Sequence, residues 1–258
     1  PKKATGLVKR EVIRVVTPGT VTDAGLLTEN KNNYLAALAV GEGGIGLGFA
    51  DISTGEISVT QIAGEGIVSR VERELSVYRP SELILNVARS ECKEISAFAN
   101  ERFHTLINDE VRGLFSYADA VKTLPAAFGD EAKKLTTPEM MMATGALLAY
   151  VKETQKTDIA FVRDLNVYGE GQYLDMDINT RRNLELTETM RNKEKAGSLL
   201  GVLDRTKTAM GGRLLYTWVT KPLLDPGQIT HRQGAVGELV KNRDLREELT
   251  ENLTSFLD

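Results

Sequence analysis

The hydrophobic periodicity of this chain changes near residue 130. Before that point, short apolar or alternating stretches typical of strands are mixed with helical stretches, and after it the pattern is almost wholly helical. A chain of 258 residues is long enough for two domains of ordinary size. We therefore expect an α/β domain at residues 1–130 and an all-α domain at residues 131–258.

The first half of the chain predicts a sheet. Its apolar stretches are short and are joined by turns rich in glycine, which favours an antiparallel meander. Strands are expected at residues 11–16, 33–40, 47–52, 57–62 and 81–87. A helix is expected before the last of them and ends ahead of Pro80, because the residue before a proline avoids the α region. With a further helix over residues 109–124, this order is that of a ribonuclease H-like α/β domain.

The second half predicts a succession of helices. Thr137-Pro138 and Asp225-Pro226 each pair a capping side chain with a proline suited to the first helical position, and Lys221-Pro222 ends a helix. Helices are expected at residues 137–157, 177–190, 198–203, 211–219, 226–240 and 243–257. Short extended pieces are expected at residues 165–168 and 173–176.

Composition excludes several classes of function. The net charge is −4, whereas an autonomous nucleic-acid-binding domain usually has a basic surface. Two His and the single cysteine, Cys92, are too few for a His/Cys zinc site, and one cysteine cannot form an intrachain disulfide, which fits a reducing cytoplasm. No apolar run approaches the roughly 20 residues of a membrane span. We therefore expect a cytoplasmic protein without a membrane segment.

Two acidic side chains in the stretch ADISTGE, Asp51 and Glu56, raise the alternative of a metal-dependent nuclease. A ribonuclease H-like sheet can hold acids that bind two metal ions for phosphodiester cleavage. The expected first strand contains no acid, however, and the strand at residues 81–87 offers only Asn86 at the relevant end. A turn-forming role is the competing interpretation. The glycines of GEGGIGLG likewise favour a hairpin over a phosphate-binding loop, because no helix starts directly after them.

Six stretches, in collinear order, resemble the MutS family of DNA mismatch-repair proteins. The first three are similar to its connector domain and the others to the opening of its helical core, or lever, domain. They are REVIRVVTPGT, NNYLAAL, FADISTGEI, LLAYVKETQKT, LDMDINTRRNLEL and SLLGVLDRTKTAMGGRLLYTWVTKPLLD. The resemblance covers nearly the whole chain, and it implies a ribonuclease H-like connector followed by part of a helical lever.

The resemblance also implies a function for a longer parent protein. That parent would be a homodimeric ATPase that binds duplex DNA, detects a mispair and recruits a MutL-like partner. A mismatch-reading domain would precede Pro1, and the Walker A loop that binds ATP and Mg²⁺ is expected beyond Asp258, since these 258 residues contain none. The present segment would then hold no catalytic, cofactor or metal site. It would couple the DNA-reading end to the distant ATPase.

The residues that match the family signatures are expected to be structural. They are Thr180, Arg181, Arg182, Asn183, Leu184 and Glu185 of TRRNLE, with Leu203, Asp204, Thr206, Thr208, Met210 and Gly211 of LD-x-T-x-T-x-MG. Intrahelical ion pairs explain most of the basic cluster around Arg181-Arg182, and a DNA contact is the alternative. The MutL-facing surface is expected at residues 109–124. A MutS paralogue used in recombination is a third interpretation.

Overall fold

The computed structural model describes residues 15–21, 32–156, 164–169, 171–174 and 176–255, and within these it has one six-stranded sheet and nine α-helices. The strands are β1 (Tyr34–Gly41), β2 (Gly44–Asp51), β3 (Glu56–Ile62), β4 (Glu82–Leu85), β5 (Leu106–Asn108) and β6 (Asp164–Val167). The helices are α1 (Ile67–Tyr78), α2 (Lys93–Phe103), α3 (Tyr117–Phe128), α4 (Pro138–Gln155), α5 (Ile178–Asn183), α6 (Leu199–Leu203), α7 (Ala209–Thr220), α8 (Pro226–Lys241) and α9 (Arg243–Ser255).

The sheet has the strand order β5-β4-β1-β2-β3-β6. Strands β1, β2 and β3 form the antiparallel meander that the sequence predicts. Strand β4 pairs in parallel with β1, β5 with β4, and β6 with β3. The continuous apolar run of β4 is explained by this position, since all four of its residues are buried. The strand predicted at residues 11–16 falls largely outside the described residues.

Helices cover both faces of the sheet. Side chains alternate along a strand, so Leu35, Ala37 and Ala39 of β1 face one way and Ala36 and Leu38 face the other. The first set joins a core with residues of α3 and α4, and the second joins a core with residues of α1 and α2. The result is a three-layer α/β/α arrangement in which the meander is buried on both sides.

Helix α4, predicted to open the second domain, packs against the sheet instead. Its Leu147 and Val151 belong to the same core as β1 and β2, and it also contacts α3. Its apolar residues cover more than one side of the helix because it has two neighbours. Strand β6 extends the sheet further along the chain. The predicted boundary at residue 130 therefore lies inside one packed body, called here the sheet unit (residues 32–169 as described).

The residues that follow form a helical unit, residues 176–255, with α5 to α9 as its regular elements among the described residues. The helix predicted at residues 177–190 is shorter than expected and ends at Asn183. Glu185 then adopts a left-handed φ of 48°, and its carboxylate accepts a hydrogen bond from the backbone N–H of Met190 at 2.6 Å. The other predicted helices of this region are found within a few residues of their expected bounds. None of the described helices meets the length and apolarity that a bilayer crossing requires.

Two glycines of β2 let α4 approach the sheet closely. A Cβ atom on Gly46 would lie 2.2 Å from the backbone carbonyl of Glu139, and one on Gly48 would lie 2.9 Å from Leu147 Cδ1. The stretch GEGGIGLG thus supplies the predicted hairpin turn at residues 42 and 43, and also a flat surface for a helix. The second role has no signal in the sequence, because it depends on which helix arrives there.

Candidate functional site at the contact between the two units

Helix α7 of the helical unit and the residue that directly follows it each provide a cationic side chain that contacts the sheet unit. Arg213 lies on α7, and Lys221 is the residue after its last turn. Thr217, midway between them, contacts the hydroxyl of Tyr34 on β1. We call this set of contacts the α7 contact, and it is the candidate functional site.

Lys221 lies at the end of α7 and is only 6% exposed. Its Nζ donates to the hydroxyl of Tyr78 at 2.9 Å and to Glu74 Oε2 at 3.3 Å, both on α1. The same Nζ lies 4.0 Å from the ring centroid of Tyr78, 4.1 Å from that of Tyr168 and 5.4 Å from that of Tyr173. A cation against aromatic faces is attracted by their quadrupoles, and more strongly when water is excluded. Lys221 therefore binds the helical unit to the sheet unit.

Burial controls the ionisation of this group of side chains. It lowers the pKa of Lys221 to about 8, and the nearby negative charge of Glu74 only partly opposes that change. Burial also raises the pKa values of Tyr78 and Tyr168 well above their ordinary range. The hydroxyl of Tyr168 donates to Glu74 Oε2 at 2.6 Å. At neutral pH the amine of Lys221 is thus mostly protonated, and the phenols of Tyr78 and Tyr168 are neutral.

Arg213 reaches the end of β2, where Asp51 is 1% exposed. Asp51 Oδ1 accepts hydrogen bonds from the backbone N–H and hydroxyl of Ser53, and Oδ2 accepts one from Asn32. Arg213 Nη1 lies 3.9 Å from Asp51 Oδ2 and donates to Ser53 Oγ. These bonds are consistent with the turn-forming interpretation of ADISTGE. In addition, Arg213 of the helical unit places its guanidinium next to the turn.

Asp51 and Glu56 are joined by no third metal ligand among the residues that the structure describes. They are opposite each other on β2 and β3, and Asp164 follows in the same register on β6. Within the described part of the chain, no group of three or more His, Cys, Asp or Glu side chains is placed to hold a metal ion. The guanidinium of Arg213 lies next to Asp51 instead. The nuclease alternative gains no support from this geometry.

The segment between the units returns to the end of α7. Leu174 donates its backbone N–H to Pro222 O at 2.7 Å, and Leu224 donates to Gln172 O at 3.2 Å. Tyr173 and Leu223 form an antiparallel bridge between these bonds. This pairing places the ring of Tyr173 beside Lys221.

The TRRNLE residues lie on α5 and the turn after it, and one of them reaches the α7 contact. Asp177 begins the helix by accepting a hydrogen bond from the backbone N–H of Thr180. Arg181 points inward and lines a cleft together with Lys221. Burial lowers the pKa of its guanidinium. The side chains of the others are exposed or half-buried; these are Arg182, Asn183, Leu184 and Glu185.

The second signature stretch forms the corner between α6 and α7. Asp204 pairs with Lys195 and accepts hydrogen bonds from the hydroxyl and the backbone N–H of Thr206, contacts that lower its pKa to about 2. Gly211 donates its N–H to Thr208 Oγ1, which caps α7. The side chains of Leu203 and Met210 are exposed. The geometry holds the start of α7 in place, and the structural role predicted for these residues stays a prediction.

The sequence did not indicate that Lys221, Arg213 and Glu74 belong to one site. It indicated only that a helix ends at Lys221-Pro222. A buried lysine looks like any other lysine in a sequence, because its partners are far away in the chain.

Comparison with known proteins identifies the two units. Residues 33–163 match the family model for MutS domain II, and residues 179–258 match that for MutS domain III. The chain belongs to the MutS family. It is 39% identical over 259 aligned residues to the DNA mismatch repair protein MutS of Ruminiclostridium cellulolyticum, and 42% identical over 250 to that of Brevibacillus brevis. These alignments include 100% and 95% of the chain but only 30% and 27% of the relatives. The chain thus spans less than a third of the MutS proteins it matches.

Proposed function

We propose that this MutS-family segment is a non-catalytic coupling element of a DNA mismatch-repair protein. In the full-length parent it would transmit conformational state between the mismatch-binding end and a distant ATPase. The parent would be a homodimer on duplex DNA and would bind ATP and Mg²⁺ outside this segment, which has no Walker A sequence. The recombination-type paralogue is less favoured, since the relatives reported above are named as mismatch repair proteins.

The observation that carries this proposal is the α7 contact. One cation on α7 and one directly after it bind a buried and a half-buried acid of the sheet unit, so a displacement of α7 would also displace the sheet. We also infer a ribonuclease H-like connector from the strand order, in which β4 and β5 flank the antiparallel meander on one side and β6 on the other, all in parallel pairs. Such a sheet would serve here as a rigid body.

Arg213→Met in the full-length parent is the test of this coupling. It removes the cation that faces Asp51 and leaves the distant ATPase untouched, so we expect basal ATP hydrolysis to persist. The stimulation of nucleotide exchange by a mismatched duplex should fall by about tenfold, as for loss of one buried contact worth about 1.4 kcal/mol. Steady-state hydrolysis and ADP release would be measured with matched and mismatched duplexes. Arg205→Met, on an exposed side chain, is the control, and equal stimulation in both variants would contradict the proposal.

The proposed MutL-docking surface is the outer side of α3. The region predicted at residues 109–124 contains a short 3-10 turn (Arg112–Leu114) and then α3, which Ser116 caps. Tyr117 and Val121, one helical turn apart, are 47% and 43% exposed, whereas Ala120 and Leu124 are buried. An exposed aromatic–aliphatic pair with polar neighbours is suited to a protein partner.

Val121→Glu should weaken the association of this chain with a MutL-like protein by about tenfold, since a charge would be placed in the apolar part of the interface. The unfolding midpoint should not change, because the side chain projects outward. Binding would be followed by surface-immobilised titration, with Lys207→Glu on the helical unit as the matched control. If both variants bind like the wild type, α3 is not the docking surface.

A further inference from the structure

Residues 15–21 lie against the sheet unit, and we call this segment the strap. It contains a short 3-10 turn at Pro18–Thr20, in which Thr20 is 0% exposed and Gly19 is also buried. The backbone N–H of Val15 donates to Thr154 O of α4 at 2.8 Å. The strap is therefore packed on the sheet unit, at a place separate from the α7 contact.

The carboxylate of Glu82 holds the middle of the strap. Glu82 lies on β4 and is 0% exposed. Its Oε2 accepts a hydrogen bond from the backbone N–H of Gly19 at 3.1 Å, and its Oε1 accepts one from the hydroxyl of Tyr150 on α4 at 2.6 Å. A buried carboxylate destabilises a protein unless hydrogen bonds satisfy its oxygens. Because departure of the strap would remove one of these two donors, Glu82 favours the docked strap.

Two side chains of the sheet unit bind carbonyl groups of the strap. Gln155 Nε2, at the end of α4, donates to Thr20 O at 3.0 Å. Asn33 Nδ2, directly before β1, donates to Pro18 O at 2.9 Å. With the bond from Gly19 to β4, the turn is held from three directions.

The close approach of Gly19 to β4 fixes the position of the strap. A Cβ atom on Gly19 would lie 2.9 Å from Glu82 Cβ and 3.0 Å from Leu35 Cδ1. Glu82 Cβ cannot rotate away, because it is attached directly to the backbone of β4. The docked strap therefore has room for glycine alone at position 19.

The residues at the start of β1 join the strap to the α7 contact. Asn33 binds the strap, and its neighbour Asn32 donates to Asp51 Oδ2, the acid of the α7 contact, at 2.8 Å. The next residue, Tyr34, contacts Thr217 of α7. Three consecutive residues thus contact the strap, the buried acid and the helix. A displacement of the strap would move them and change the geometry of the α7 contact.

We propose that the strap positions the α7 contact, with Glu82 as the positioning residue and residues 32–34 as the connection. This proposal rests on the coupling function, because in the parent the mismatch-binding end would precede the strap. Its movement would then enter the sheet unit at the strap and leave through α7. A docked and a released strap are the two discrete arrangements that such transmission requires.

Gly19→Ala in the 258-residue chain is the direct test, because the added methyl group would clash with β4 while every residue of the sheet stays unchanged. Amide hydrogen exchange, followed by mass spectrometry, should become about tenfold faster in the strap and about fivefold faster at residues 51–55. The amides of that turn are bonded to Asp51. Helix α2, on the opposite face of the sheet, should exchange as in the wild type. Gly113→Ala, whose Cβ would meet nothing within 4 Å, is the control and should change none of these rates.

Faster exchange in the strap with wild-type exchange at residues 51–55 would overturn the proposal, since the two contacts would then be independent. Unchanged exchange in the strap would overturn it as well. If Gly19→Ala destabilises the whole chain and α2 also exchanges faster, Asn33→Ala replaces it, because it removes a bond to the strap without a clash, and the same outcomes decide. These measurements involve neither DNA nor ATP. Their failure is thus distinct from failure of the coupling function, which the Arg213→Met parent tests.

Discussion

Raising the pH from 8 to 10 is expected to stabilise this chain relative to a variant that lacks the amine of Lys221. The cause is Lys221, whose pKa is lowered by burial from 10.5 to about 8. Between those values the unfolded chain binds a proton at this side chain and the folded chain does not. The contribution of Lys221 to stability therefore increases with pH across that window, by about 3 kcal/mol at most for a change of this size.

The upper end of the window is set by the tyrosines. The pKa values of Tyr78 and Tyr168 are raised by burial, so these phenols stay protonated in the folded state while they ionise in the unfolded chain above about pH 10. The unfolded state then binds fewer protons and stability falls again. Burial also raises the pKa values of Tyr34, Tyr150 and Cys92, which oppose the contribution of Lys221 in the same way. Among the described residues, the other charged groups that act on the amine are Glu74, Glu56 and Arg181.

Lys221→Met isolates this effect. The variant keeps an unbranched apolar side chain against the aromatic rings but has no titrating amine, so the increase between pH 8 and pH 10 should disappear. Urea unfolding at several pH values measures it, with Lys207→Met on an exposed lysine as the control. If Lys221→Met shows the same pH profile as the wild type, the amine of Lys221 does not titrate in this window.

Gly46→Ala is expected to destabilise the chain by about 3 kcal/mol, the upper part of the usual range for overpacking. The added methyl group would lie 2.2 Å from the backbone of Glu139, and backbone cannot rotate away as a flexible side chain can. Either α4 moves off the sheet or β2 bends. Both changes reduce the packing of a core that includes Leu147 and Val151.

Gly113→Ala is the matched control for this substitution. Gly113 lies in the same sheet unit, and a Cβ atom there would meet nothing within 4 Å. Its effect should remain within about 0.5 kcal/mol. Urea denaturation of both variants makes the comparison, and equal losses would show that α4 does not pack on β2 as described.

Strands and helices were predictable where the local pattern is complete. The meander β1 to β3 has short apolar strands separated by turns with glycine, and β4 is a continuous apolar run. Each of these patterns can be recognised from a few consecutive residues. Helix starts at Thr137 and Asp225 were equally legible, since both side chains cap the helix as expected. The helix end after Asn183 could not be predicted, because it depends on the left-handed φ of Glu185.

The candidate site was predictable only in part. TRRNLE marked Arg181, but nothing in that stretch reveals that the guanidinium is buried beside α1. Asp51 was considered as a metal ligand, whereas in the fold it accepts hydrogen bonds from Ser53 and Asn32 and has the cation of Arg213 nearby. A carboxylate at the end of a strand can bind a metal ion or pair with a cation. Residues that are distant in the sequence and close in the fold decide which of these occurs.

The amino-acid sequence by itself determined the order of strands and helices, the caps that begin helices and the MutS family to which the chain belongs. The elements and their caps depend on neighbours within about one or two turns of the chain, whereas the family is carried by six collinear stretches along it. The tertiary structure alone decided that α4 belongs to the sheet unit and that Lys221 meets Glu74, 147 residues earlier. The reason is that burial and charge pairing across such separations arise only when packed surfaces bring the side chains together and exclude water from between them.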